Sequence, residues 1–483
     1  MSVKRIILFG SGNMAISYID YFKNSKDIHI TIATNDEKSG SELHEKYKHF
    51  TSLKVVDINN AHDCEPLIIE HDVVVSLLPP PLHPIVARYT INNNKNFVCS
   101  SYISPQMKEL QEEIKKRDLI FLFEVGLDPG IDHIVTFKMI DDVRAKGGQI
   151  KKLYSICGGL VAPESIDNPL SYKFTWAPLG VFTAISDAKY IKNGKLVSIK
   201  KEDLLYHAEP YEVNNSLNTV IYPNRDSLAY RKLYNVPEAN NMLRATMRYK
   251  GFVEIAAAFM EIGLLDFESF PKKINSFPAL IDYLCQDVNM YANNIDESIY
   301  TKLINTYNDA KIDINFKNFL QKVTKHDFWK LLTIQQKVDR LLLICDGFIH
   351  FGLFNKETHF ERKTFIIETL VAHLKKTMTL TKEDKDFTIM IIDIEAYYPE
   401  LHMAEDLKFQ LLKSGENKGG LSSVAYLVGY PCAMATELVL DGKIKSRGLL
   451  GPFKKDIYVP LYEKMVEAGI IKHNTVKSYR PRL

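Results

Sequence analysis

The chain has 483 residues, 46% of them hydrophobic and 25% charged, with a net charge of +2 at neutral pH. These are ordinary globular values for two or three domains. They argue against nucleic acid as a partner, because lysines and arginines are interspersed with acids and form no basic stripe.

The predicted elements begin with alternating strands and helices. Strands are expected at residues 5–9, 28–34, 54–58, 72–78, 96–102 and 120–125, with helices between most of them, for example at 106–117. Continuous apolar strands covered by helices indicate a parallel, doubly wound sheet. A second pattern starts near Ile131: a strand at 152–157, then Gly158-Gly159, then a helix at 178–191 and shorter strands. Residues 251–354 carry helical periodicity. A strand returns at 386–398, a glycine-rich connection follows at 415–420, and helices close the chain at 421–440 and 456–467. The apolar runs are strands of about six residues, too short to span a bilayer. The first strand begins by Arg5, which leaves no room for a signal or transit peptide. Six widely spaced cysteines without a CxxC point to a reduced compartment and no zinc site. The cytosol is the expected location, with Pro481-Arg482-Leu483 resembling a peroxisomal address as the alternative.

The first motif is Gly10-Ser11-Gly12-Asn13-Met14-Ala15, a G-x-G-x-x-A turn between a strand and a helix. Gly10 permits the tight turn, Gly12 lets the backbone approach a pyrophosphate, and Ala15 allows close helix–strand packing. The second strand ends in Ala33-Thr34-Asn35-Asp36-Glu37-Lys38-Ser39. There Asn35 or Asp36 can accept from a ribose hydroxyl. Two adjacent acids without an arginine favour NAD over NADP. The plainer reading is that Asp36 and Glu37 cap the next helix. The strand ends at Ser76 to Pro79 and at Ser100 to Tyr102 belong at the cofactor edge, although serines also form turns. The expected cofactor set is Gly10, Ser11, Gly12, Asn13, Met14 and Asn35, with Asp36, Ser39, Asp57, Ile58, Ser76 and Val98.

The second motif, Gly126-Leu127-Asp128-Pro129-Gly130-Ile131-Asp132-His133, stops an apolar strand at its carboxyl end. Ligands bind at that edge of an open α/β sheet. Arg225 lies in a polar turn, and Arg244, Arg248 and Lys250 cluster in a later segment. Such arginines suit carboxylates, and surface salt bridges are the plainer alternative. Cys157 sits between a strand and two glycines, where a thiol can face a pocket, although buried cysteines are commonly inert. His133 reads as structural.

Together with SLLP-x-x-LHP at 76–84, SYISP at 101–105, CGGL-x-APE at 157–164, NPL-x-YKF-x-W-x-P-x-GV at 168–181, YPNRDS, RYKGF and GPF-x-K-x-IY, these motifs resemble the glutamate-forming saccharopine dehydrogenase family over nearly the full length. The same family forms the C-terminal half of aminoadipic semialdehyde synthase. The resemblance implies an α/β protein: a variant Rossmann domain at 1–128, completed by 416–483, and a substrate and dimerisation domain at 129–255 and 356–415. A small helical domain is expected at 256–355. A homodimer is thus among the expectations. The resemblance also implies the substrate saccharopine, with glutamate and 2-aminoadipate 6-semialdehyde as products, and no metal. It makes Arg225 and Thr246-Met247-Arg248 carboxylate binders, and Cys99, Ser100 and Asp128 the pocket wall. It makes Tyr102, Asp128 and Cys157 the acid–base groups. The NADP-using fungal members place an arginine after the second strand; this chain resembles the NAD-using animal type there. Residues 386–412 match poorly. The ketoglutarate reductase half is missing, so a stand-alone enzyme is expected. The alternatives are an imine reductase of the pyrroline-5-carboxylate type and a non-catalytic relative.

Overall fold

A computed structural model describes residues 3–214, 217–286, 296–416, 419–472 and the backbone of 475–481. Arg482 and Leu483 of the C-terminal tripeptide lie outside the described residues.

The first part forms strands β1 (Lys4–Phe9), β2 (Ile28–Thr34), β3 (Thr51–Val55), β4 (Val73–Ser76), β5 (Asn96–Cys99) and β6 (Ile120–Leu122). They run parallel in the order β3-β2-β1-β4-β5-β6. A parallel sheet is covered on both faces, so consecutive residues such as Ile6, Ile7 and Leu8 are all fully buried. The order reverses beside β1, which places a crevice at the carboxyl ends of β1 and β4.

The second part adds β7 (Gln149–Val161), β8 (Ala188–Lys192), β9 (Lys195–Ile199), β10 (Glu209–Pro210), β11 (Thr219–Pro223), β12 (Asn241–Tyr249), β13 (Asp386–Tyr398) and β14 (Met403–Ser414). Its mixed sheet keeps β12 and β7 parallel at the centre, with antiparallel partners on either side. The helices Phe252–Ile262, Phe277–Leu284, Glu297–Thr306, Phe316–Val323, Ile334–His350 and Ile366–Met378 share one aromatic-rich core.

The end of the chain serves both sheets. β15 (Gly448–Leu450) extends the first sheet beside β6, and β16 (Thr475–Pro481) pairs with β14 in the second. The helix Ser423–Leu440 is long and apolar enough to cross a membrane, but 72% of it is buried inside the protein. It packs on the helix Asn13–Tyr21 so closely that a Cβ on Gly429 would lie 2.6 Å from the Tyr18 backbone nitrogen.

Several sequence expectations shift: the strands expected at 72–78, 96–102 and 120–125 end early, at Ser76, Cys99 and Leu122, and the helix expected at 106–117 is split in two. The third strand occupies Thr51–Val55 rather than 54–58, because Thr51 to Val55 pair in register with Ile30 to Thr34. The helix expected at 178–191 stops at Thr183. Ala188–Lys192 and Lys195–Ile199 instead form a hairpin around Asn193 and Gly194, both at positive φ, the pairing that a two-residue turn favours. The strand expected at 152–157 runs through both glycines to Val161, since Gly158 leaves room for Met247 and Gly159 for Thr175.

Candidate active site

The turn after β1 has the form its glycines require. Gly10 sits at φ +112°, and a Cβ there would lie 3.1 Å from the Leu77 carbonyl oxygen. A Cβ on Gly12 would meet nothing within 4 Å, so the backbone faces open space. No side chain caps the helix Asn13–Tyr21, whose first amides point into that space. The resulting cleft of about 540 Å³ is walled by Gly10 to Asn13, by Thr34 to Asp36 with Ser39, and by Leu77 to Pro79. Ser11 Oγ lies 2.9 Å from Thr34 Oγ1 and 2.5 Å from Ser39 Oγ, tying the turn to the end of β2. Asp36 Oδ1 accepts the Ser39 N–H at 3.1 Å and caps the helix Glu37–Lys46. That bond holds its carboxyl below the ordinary value. Asn35 is exposed at the cleft mouth.

Other members of the expected cofactor set lie elsewhere. Because β3 ends at Val55, Asp57 falls in a turn and accepts from Asn59, while Ile58 packs against an apolar cluster. The Met14 carbonyl faces Gly429. Ser76 and Val98 are fully buried in the sheet, and so is Cys99, expected to line the substrate pocket. Their side chains therefore make no wall for a ligand. Ser76 Oγ instead meets His83 Nδ1 at 2.8 Å, and His83 Nε2 meets Ser101 Oγ at 3.0 Å, with Cys99 Sγ 3.5 Å from the same ring nitrogen. Burial lowers the His83 pKa to about 4, so the ring is neutral and cross-links the ends of β4 and β5. Ser100 stands against the glycine loop, 3.1 Å from where a Cβ on Gly126 would be.

The loop at 126–133 gathers the chemistry. Its closure needs Gly130 at φ +148°, where a Cβ would fall 2.1 Å from the Gly126 carbonyl oxygen. Tyr102 donates to Asp128 Oδ1 at 2.6 Å. Arg244 Nη2, from β12, donates to the same oxygen at 2.5 Å and to Asp132 Oδ2 at 2.7 Å. Desolvation would raise the Asp128 carboxyl, but the Arg244 charge and the Tyr102 hydroxyl outweigh it and hold the group below its ordinary value. Asp132, fully buried, is raised by desolvation. Burial also pushes Tyr102 and Cys157 well up, so both keep their protons. His133 is buried, with Nδ1 2.7 Å from the Tyr234 hydroxyl.

Strand parity places the rest. Arg244, Thr246 and Arg248 alternate along β12, and register puts Ser155 and Cys157 of β7 beside Arg244 and Thr246 on the same face. Met247 points to the opposite face and is fully buried in an apolar cluster, so its side chain is no substrate contact. Arg248 is 5% exposed, yet it meets no carboxylate among the described residues. Nη1 bonds the Met247 carbonyl at 2.8 Å, Nε has no partner, and the guanidinium lies over Tyr172 and Phe252. A desolvated cation without a counter-ion is costly unless a ligand supplies one. Arg225 is exposed in a turn at φ +54°, with its guanidinium 5.6 Å from the centre of the Tyr102 ring.

Residues 6–122 match the family model described as the saccharopine dehydrogenase NADP binding domain, and residues 126–470 match the saccharopine dehydrogenase C-terminal domain. The chain belongs to the saccharopine dehydrogenase family. It is 34% identical to saccharopine dehydrogenase [NADP(+), L-glutamate-forming] of Saccharomyces cerevisiae, over 98% of this chain and 99% of that one. The solved structure of the apo histidine-tagged saccharopine dehydrogenase (L-Glu forming) from Saccharomyces cerevisiae superposes with a TM-score of 0.83 at 31% identity, covering 99% of this chain and 100% of that one. The chain is also 31% identical to the alpha-aminoadipic semialdehyde synthase of Rattus norvegicus, over 97% of its own length and 47% of that protein. It thus spans about half of the synthase.

Similarity over the whole length in this family leaves the pyrroline-type reductase without support. The cofactor is a nicotinamide dinucleotide; the NADP(+) printed for the yeast relative runs against the NAD preference expected from Asn35 and Asp36. The motifs gave no hint that Arg244 pairs with the loop carboxylates. The signal was present in the even spacing of Arg244 and Arg248 on one strand, which sends both to one face.

Proposed function

We propose that the protein oxidises saccharopine at the lysyl ε-carbon with a nicotinamide cofactor and hydrolyses the imine to L-glutamate and 2-aminoadipate 6-semialdehyde, or runs the reverse condensation. The observation that carries this reading is Arg248, buried without a carboxylate on the sheet face that presents Cys157 and Arg244 to the loop of Asp128. Saccharopine has three carboxylates to offer it.

The open backbone at Gly12 and the uncapped helix Asn13–Tyr21 fit the pyrophosphate, and Asn35 and Asp36 fit the adenosine ribose. When bound, the nicotinamide accepts the hydride. We place NAD ahead of NADP: Asp36 stays ionised beside Glu37, where a 2′-phosphate would be repelled, and no arginine follows β2. The NADP(+) relatives and Lys46 on the cleft wall weigh on the other side.

The chain's own groups handle charge and protons. The secondary amine of saccharopine must be neutral before hydride leaves, because its lone pair forms the C=N bond. Asp128, held ionised by Arg244 and Tyr102, stabilises the cationic nitrogen and accepts its hydrogen bond. Tyr102 and Cys157, which keep their protons, relay them between that nitrogen and water. Water then adds to the imine carbon, the nitrogen takes a proton, and the carbinolamine expels glutamate. Release of one glutamate and one trappable aldehyde for each saccharopine consumed tests the reading. Consumption without glutamate would refute it.

A further inference from the structure

Arg244 differs from the other two arginines of the cleft. Arg225 and Arg248 have no carboxylate partner among the described residues, whereas Arg244 has two, Asp128 and Asp132. Its Nη2 also donates to the Tyr102 hydroxyl at 3.1 Å. Arg244 is 4% exposed, and the Tyr230 ring covers its guanidinium with its centre 4.2 Å from Cζ. The backbone of Arg244 is pinned as well, its N–H donating to Ser227 Oγ at 2.9 Å. Asp132, the second carboxylate, lies in the first turn of the helix Ile131–Arg144 and accepts the Gly130 N–H at 2.6 Å, so the loop itself fixes it.

We propose that Arg244 is a positioning residue, anchored on Asp132, that holds the Asp128 carboxylate and the Tyr102 hydroxyl in place for the reaction and does not itself bind substrate. The inference rests on the function proposed above. A buried pair of carboxylates sharing one cation keeps its charge only while the cation stays. With Arg244 gone, Asp128 would take up a proton at higher pH and lose its hold on the substrate nitrogen. The other groups facing Asp128 are Asp132 and His133 from the helix, Tyr102 beyond β5, Tyr230 and Tyr234, and Cys157 from β7. The tyrosines and Cys157 are all raised, so among the acids facing Asp128 it is Asp132 whose charge needs a control.

Saccharopine oxidation by the full-length protein, followed across pH, tests the role. In Arg244→Gln, kcat should fall by about tenfold or more while the saccharopine KM changes by less than about threefold. The acid limb of kcat/KM should move up by about one pH unit, because the stabilising charge is lost. Arg244→Lys should restore part of both. In an Asp128→Asn background, Arg244→Gln should leave the limb where it is. Asp132→Asn, which stands in if Arg244→Gln does not fold, removes a like charge and should move the limb to lower pH. A raised KM with unaltered kcat would make Arg244 a substrate clamp and overturn the proposal. So would an acid limb that none of these changes moves. Absence of wild-type turnover would overturn the function and this role with it.

Discussion

Tyr102 donates its hydroxyl proton to Asp128 Oδ1 at 2.6 Å, joining the segment after β5 to the loop after β6 at the carboxyl edge of the first sheet. Arg244 reaches the same pair from the second sheet. The bond from Arg244 to Asp128 therefore also ties the second sheet to the carboxyl edge of the first.

Replacing Asp128 by Asn keeps the shape and removes the charge. The expected result is a fall in kcat of roughly 10²-fold, read by steady-state kinetics. Cys157→Ser should cost less than about tenfold, because a hydroxyl or water can carry the same proton. Unaltered kcat in Asp128→Asn would show that the step does not need the Asp128 charge.

Arg248→Ala should raise the saccharopine KM by the equivalent of about 2–5 kcal/mol, since it strips a buried charge partner from the substrate. The KM for the dinucleotide should stay within about twofold. Arg225 is exposed, so Arg225→Ala should cost about 1 kcal/mol or less. Equal losses from both would show that the cleft closes over Arg225 when substrate binds.

How far the sequence led is clearest from these residues. The G-x-G-x-x-A turn was legible because Gly10 is required by local backbone geometry and Gly12 leaves the backbone open to a ligand, and the doubly wound sheet was legible from its apolar strands. Asp128 was legible because glycines frame it at a strand end. The burial of Ser76, Val98 and Cys99 was not, since it is decided by which helices cover the sheet: the one carrying His83 over Ser76 and Cys99, and Ser423–Leu440 over Val98. Arg225 and Arg248 looked alike as sequence, and only packing separates an exposed turn from a desolvated strand face. The hairpin at 188–199 was legible in principle from Asn193-Gly194, but the apolar run at 181–191 mimicked a helix.

Cofactor choice rests on Asn35 and Asp36. NAD should give the higher kcat/KM. Asn35→Arg combined with Asp36→Ala should shift the preference towards NADP by about tenfold or more, about 1.4 kcal/mol of transition-state binding. An NADP preference of that size in the unaltered protein would show that Asp36 acts only as the cap of its helix.

His83 makes stability depend on pH. Its folded pKa, about 4, lies below the ordinary value of 6.5. As pH falls between these values, the unfolded chain binds a proton that the native state refuses. The contribution is complete above the higher value, declines through the window by up to about 3 kcal/mol, and is flat below it. The Tm of His83→Gln, compared with that of the unaltered protein across the window, should lack this slope. Parallel curves would show that the native ring accepts a proton without cost.

The most direct test is the appearance of reduced nicotinamide when saccharopine is added to the protein with NAD, and separately with NADP. The account predicts saccharopine-dependent reduction, faster with NAD and abolished in the combined Asp128→Asn, Arg248→Ala protein. No reduction with either dinucleotide, from a folded protein that binds them, would contradict it.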